Sequence, residues 1–358
     1  MPNDLTVTEE STWSRAEAAA FANPLLDQAA AYIPASRRST KLTLAKVRRG
    51  AEIVGVAPVL VLRRYRGTRL LRPELAARFD PILGRVTRAT QCLIETSFMG
   101  YLDEEPFFAL DPADRPMVRA AVIAHLQKRR DIDTLLVTEP ANGAPTLPAG
   151  FEAFLQLPLI RAETVGFADF QAWLAAQGPK RRRNARAERK LLAEAGAEIA
   201  VHTPPMPKPL RDRMHKLLIN SARANAEGGF VVPYEIMLND YDAFLRQEFH
   251  AITLTLGGRL AGFFAFIPRS GVMHQVHGGL DYDIGPAIKA YPNLMHAAVE
   301  HAIRTGYRAV TFGPQNNEAK RRAGTPEPVR SALWCRSALK RFVAGRMIDK
   351  LQVYTGRP

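Results

Sequence analysis

Short apolar runs alternate with polar turns along this chain, and the arrangement recurs. Residues 42–47 and 56–62 are predominantly apolar runs and flank Gly50-Ala51-Glu52-Ile53-Val54-Gly55. Residues 252–256 and 263–267 are apolar and flank Gly257-Gly258-Arg259-Leu260-Ala261-Gly262. Each set predicts a strand, a glycine turn and a second strand with an internal glycine. A helical stretch and a short apolar strand follow in both places: 116–127 before 132–137, and 292–304 before 309–312. An ordered recurrence of several elements predicts two copies of one module.

The remaining pattern fills in around this repeat. Residues 15–34 carry an apolar stripe of Phe21, Leu25, Leu26 and Ala29 and predict a helix. A further strand is expected at 91–98. The proline- and glycine-rich stretch 140–150 is a break, and 151–164 completes the first module and crosses to the second. Phe167, Phe170, Trp173 and Leu174 mark a helical stripe that Gly178-Pro179 interrupts. A basic helix over 180–195 ends at Gly196, a strand follows at 199–202, and a helix is expected over 210–226. The hairpin leads to a strand at 272–277. A last strand at 329–335 and a terminal helix at 338–351 close the chain. The fold class expected is α+β: two tandem modules, 1–160 and 161–358, each a mixed, mostly antiparallel sheet flanked by helices.

A length of 358 residues suits two modules of ordinary size. The polar, acidic start is unlike a secretory signal, and no apolar run is long enough to span a bilayer, so stable membrane insertion is not expected. The two cysteines, Cys92 and Cys335, lack zinc spacing and are too few for a disulfide framework, which points to a reducing cytoplasmic setting. The formal net charge of +14 favours a polyanionic partner: nucleic acid, anionic lipid, coenzyme A or an acidic carrier protein.

Chemistry concentrates in the second half. The strand at 309–312 ends at Gly313, and Pro314-Gln315-Asn316-Asn317-Glu318-Ala319-Lys320-Arg321-Arg322-Ala323-Gly324 follows directly. Carboxyl ends of strands are where open α/β sheets hold ligands. There Gly313 admits close backbone approach, Gln315 and Asn316 offer amides, and Lys320 and Arg321 can neutralise a phosphate or carboxylate. The basic helix start adds Lys180, Arg181, Arg182 and Arg183 as phosphate contacts, and Lys289 lies before the helix at 292. His274 and His277 have a suitable proton affinity for a general base, but strict alternation puts them on opposite faces unless the strand is bulged. Asp281, at the strand's mouth, could orient an amine. His296 and Glu300 are one helical turn apart and could bond to each other; no third ligand accompanies them, so no metal site is expected.

The repeated hairpin, strand, helix and strand resemble the GNAT superfamily. The Pro179-Lys180-Arg181-Arg182-Arg183-Asn184 helix start, the 257–262 hairpin, Phe312-Gly313 and the stretch 318–324 resemble its Fem-like branch, which includes peptidoglycan aminoacyl transferases and exopolysaccharide-associated acetyltransferases. The resemblance implies direct acyl transfer to a small-molecule amine, with no tightly bound cofactor. Acyl-CoA, acyl-carrier protein or aminoacyl-tRNA would be the co-substrate. His274, His277, Asp281 and Lys320 are the catalytic candidates. The chain departs from the family at 283–292, which lacks the glycine-rich pyrophosphate loop of coenzyme A users. The first module lacks that loop too and is expected to be non-catalytic. A non-catalytic RNA-binding module, or a membrane-peripheral one, is the alternative.

Overall fold

In a computed structural model, the protein is described over residues 5–21, 26, 40–66, 88–94, 106–139, 150–155, 159–224, 250–313, 317–327 and 330–342. The first part comprises β1 (Leu5–Glu10), α1 (Arg15–Phe21), β2 (Thr40–Arg49), β3 (Glu52–Arg66), β4 (Arg88–Ile94), β5 (Phe108–Ala109), α2 (Arg115–Lys128), β6 (Thr134–Glu139) and β7 (Glu152–Leu155). Next come β8 (Leu159–Glu163), α3 (Phe170–Ala175), α4 (Pro179–Glu194), β9 (Glu198–His202), α5 (Lys208–Ala224), β10 (His250–Leu256), β11 (Arg259–Arg269) and β12 (Val272–Leu280). The last are α6 (Ala290–Thr305), β13 (Ala309–Phe312), α7 (Asn317–Lys320), β14 (Thr325–Glu327) and β15 (Arg330–Cys335), after which the backbone is helical over 338–342. The expected helix at 15–34 and strand at 91–98 are described only over their first parts, and most of the terminal helix lies outside the described residues.

Two sheets result. The first runs β1-β2-β3-β4-β6-β15-β7, with β5 also on β3; the second, read from its other edge, runs β9-β10-β11-β12-β13-β8-β14. The orders correspond position by position, with a parallel pair at the same place in each: β4 with β6, and β12 with β13. All other pairings are antiparallel. The duplication read from the hairpins is therefore a duplication of sheet topology.

One position is exchanged. In the first sheet the strand between β6 and β7 is β15, from the far end of the chain. In the second, the equivalent strand between β13 and β14 is β8, from just after the first module. Each module lends one strand to the other. The 160/161 boundary thus falls inside β8, and the strand expected to finish the second module sits in the first sheet. The three-residue β14, which contains Pro326, carried no alternation from which to predict it.

The repeated glycines have specific duties. Gly50, Gly257 and Gly258 adopt positive φ at the hairpin turns, a region other residues enter at a cost. Gly55 and Gly262 instead make room for a helix. A Cβ on Gly55 would lie 2.2 Å from Val118 Cγ2 of α2, and one on Gly262 would lie 3.1 Å from Leu294 Cδ1 of α6 and 2.8 Å from Leu280 Cδ2. Val118, Val122, Ile123 and Leu126 form the buried stripe of α2, while α6 is buried on most sides between its sheet and α4. Gly55→Ala and Gly262→Ala are each expected to cost about 1–3 kcal/mol by overpacking, read as a lower urea midpoint at unchanged slope. Unchanged midpoints would show that the helices yield without loss.

Candidate functional site

The second sheet opens at β12. Its parallel pairing with β13 covers only Val272 with Ala309, Met273 with Val310 and His274 with Thr311. Pairing with β11 on the other side continues to Leu280. From Gln275 onward, no strand among the described residues pairs with β12 on its β13 side. Main-chain groups along that stretch can therefore meet a ligand.

β12 is also bulged. Gln275 pairs with Phe266 but His277 with Ala265, so Val276 is the extra residue. His274 pairs with Ile267, two residues from Ala265, so both histidines lie on one face of the sheet. That is the α5 face, where Ala265 and Phe263 pack against Met214, Leu217 and Leu218. The His274 ring shares a 2.9 Å hydrogen bond with Thr311 Oγ1. His277 is buried, and burial pushes its proton affinity down to about 3.

At the end of β13 the structure brings Gly313 and Lys320 together. Lys320 Nζ donates to the Gly313 carbonyl at 2.5 Å from a buried position. Burial, with no carboxylate among its causes, pushes its pKa down to about 7. A Cβ on Gly313 would stand 3.8 Å from both Gln275 O and Lys320 Nζ, so glycine keeps this space open just beyond the last β12–β13 pair. Arg321, the next residue, is exposed. Gln315 and Asn316 lie outside the described residues.

Other candidates stand apart from this point. Asp281 accepts from Arg259 Nε at 2.7 Å and from Asp283 N at 3.0 Å, so it is engaged in folding the turn after β12. Lys289 is exposed and begins α6 in the left-handed region, at φ 50°. In the first turn of that helix Ala290 N already donates to Gly285 O, and Pro292 has no N–H. On α4, Lys180 and Arg183 are exposed, whereas Arg181 reaches Gln177 Oε1 at 3.2 Å. Arg182 donates to Ala175 O at 3.0 Å and Gln177 O at 2.9 Å, closing the end of α3. Arg189 pairs with Glu300 and lies 4.0 Å over the Phe170 ring. Glu300 is thus paired with Arg189 rather than with His296.

Sequence reasoning missed Glu188. Its carboxylate is buried between α4 and α6, 3.2 Å from Arg322 Nη1 and 3.9 Å from His296 Nε2. Burial raises its pKa against the opposing charges of Arg322 and Lys289. Ala185, Glu188 and Leu192 form the buried stripe of α4 at helical spacing, a pattern visible in the sequence beneath the surrounding arginines.

Residues 179–321, from the first residue of α4 to Arg321, match the family model described as acetyltransferase (GNAT) domain. The matched segment contains β12, β13, Gly313 and Lys320. The chain is similar in fold to L-PGS from Bacillus licheniformis (11% identity, TM-score 0.53, covering 96% of this chain and 98% of that one). It is also similar to the C-terminal domain of a putative lysylphosphatidylglycerol synthetase from Agrobacterium fabrum (11%, 0.51, 94% and 97%). FemX is a third (9%, 0.50, 87% and 91%). No curated protein matches the chain by sequence. Among the described residues no helix is long and apolar enough to cross a membrane.

Proposed function

We propose that this protein is an N-acyltransferase that moves an aminoacyl group from aminoacyl-tRNA to an amine acceptor by direct attack. The observation that carries the reading is Lys320, buried against Gly313 O where β12 and β13 part, within the GNAT segment. The acceptor amine attacks the donor's carbonyl carbon, and the bond to the ribose oxygen breaks. Main-chain N–H groups of β12 beyond its last described pair with β13 can donate to the oxyanion. Neutral Lys320 takes the proton that the attacking nitrogen sheds, and the departing ribose oxygen takes up a proton to leave as a hydroxyl, so the step balances. A base with pKa near the working pH suits this step, whereas His277, with its proton affinity near 3, stays unprotonated and accepts poorly.

Three observations favour tRNA over an acyl thioester. The start of α6 lacks the glycine-rich pyrophosphate loop and offers few free N–H groups. Lys180, Arg183, Arg186 and Lys190 are exposed along α4, a surface suited to a phosphate backbone. FemX, L-PGS and the lysylphosphatidylglycerol synthetase C-terminal domain share the fold, and the last name describes a lysyl group joined to a lipid headgroup.

The test is to offer the purified protein charged tRNA, coenzyme A thioesters and loaded carrier protein in parallel. Ribonuclease-sensitive transfer to an amine, with binding that weakens steeply as salt rises, is expected. Transfer supported only by a coenzyme A thioester would reject the tRNA donor. Salt-sensitive tRNA binding without transfer to any amine would favour the non-catalytic RNA-binding reading.

A further inference from the structure

We propose that Glu188 is a positioning residue for Lys320, acting through Arg322; this rests on the transferase reading above. Lys320 ends α7 and enters a tight turn in which Ala323 N donates to Lys320 O at 2.8 Å and Arg322 N to Ala319 O at 3.2 Å. The turn is fastened at three points. Lys320 Nζ is bound to Gly313 O. Gly324 lies flush on β8, where a Cβ would come within 2.3 Å of Arg161 O. Between these two, Arg322 reaches across to Glu188 on α4.

Two of the fasteners are local to the sheet, and the third depends on a different layer. The Glu188 side chain is 9% exposed while that of Arg322 is 55% exposed, so the carboxylate is the fixed end of the pair and the arginine the moving end. The fixed end is itself anchored. Asn293 Nδ2 of α6 donates to the Glu188 main-chain carbonyl at 3.0 Å, as well as to Ile288 O and Lys289 O. The α4–α6 contact is thereby transmitted to the turn that carries Lys320. A buried carboxylate of this kind is costly to leave unpaired, because it loses the charge that compensates its burial. If the pair is broken, the turn retains only its two ends, and water can reach the Lys320 ammonium.

Lys320 burial can be read without any substrate. The full-length protein is treated with acetic anhydride and acetylation at each lysine is quantified by peptide mass mapping. Lys46, buried in the first module, serves as the reference for global opening. In the wild type both lysines should be protected. In Glu188→Ala and Arg322→Ala, Lys320 should be acetylated at least about tenfold faster, as expected for local opening, with Lys46 unchanged. Arg322→Lys should restore most of the protection, since the single Nη1 contact at 3.2 Å is within reach of an ammonium. Unchanged Lys320 protection in both alanine variants, or loss at Lys46 in step with Lys320, would overturn the proposal. The outcome is independent of transfer activity, so failure here and failure of the transferase reading are separately visible.

Discussion

Replacing Lys320 with methionine is expected to lower kcat/KM by about 10²–10⁴-fold, the usual contribution of a positioned proton-transfer group. Methionine keeps the length and apolar body of the side chain and removes its nitrogen, so the buried position remains filled. Lys320→Arg distinguishes the role. An arginine retains the positive charge but does not give up its proton in a protein. If Lys320 accepts the amine's proton, the arginine variant should be as impaired as the methionine variant. If only positive charge is needed, arginine should recover most of the activity. The pH dependence has a definite sign. Burial holds the Lys320 pKa down to about 7, and the neutral amine is the active form, so the rate should rise as pH passes through about 7. A rate that falls through the same range, or an active Lys320→Arg enzyme, would remove Lys320 as the base.

The largest expected loss of stability lies in the other module. Lys46 on β2 has a side chain only 1% exposed, yet it reaches two carboxylates. It is 2.8 Å from Glu10 Oε2 and 2.5 Å from Glu17 Oε1, with the Trp13 ring centroid 5.7 Å away. Lys46→Met would leave two carboxylates facing an apolar side chain. Breaking such a pair from one side costs about 3–5 kcal/mol. The hydrogen bond from Lys46 holds the Glu10 pKa near 2, below the ordinary value of 4.5. Glu17 is raised by burial but lowered further by Lys46 and Ser14, with a net depression. The folded pKa values are depressed, so this stabilisation is complete above about pH 4.5 and is lost as pH falls towards 2. Wild-type stability should therefore decline across that window, while Lys46→Met starts lower and declines less. Urea unfolding at several pH values measures both. Parallel curves for the two proteins would show that the lysine is not coupled to these carboxylates.

Much of this protein is legible in short stretches of its sequence. The two glycine hairpins, the α2 and α6 stripes and the strand at 309–312 follow from local periodicity, because strand and helix faces repeat every two or 3.6 residues regardless of what they pack against. The motif from Gly313 to Gly324 marks the region of the candidate site. Its chemistry is less legible. Lys320, Arg321 and Arg322 are equally polar in sequence, but one is buried, the next is exposed and the third is tied to a carboxylate more than a hundred residues earlier. The bulge at Val276, which moves His277 to the face of His274, is set by register against β11 and leaves no local mark.

The sequence by itself determined the repeated module, its element order and the basic surface of α4. Tertiary structure decided which sheet each of β8 and β15 joins, and where the charges of Lys320, Glu188 and Lys46 are shielded from water. The physical reason is the range of the interactions. Propensity and amphipathic period act over a few residues, whereas strand pairing and the burial of a charge depend on partners that only the folded chain brings near.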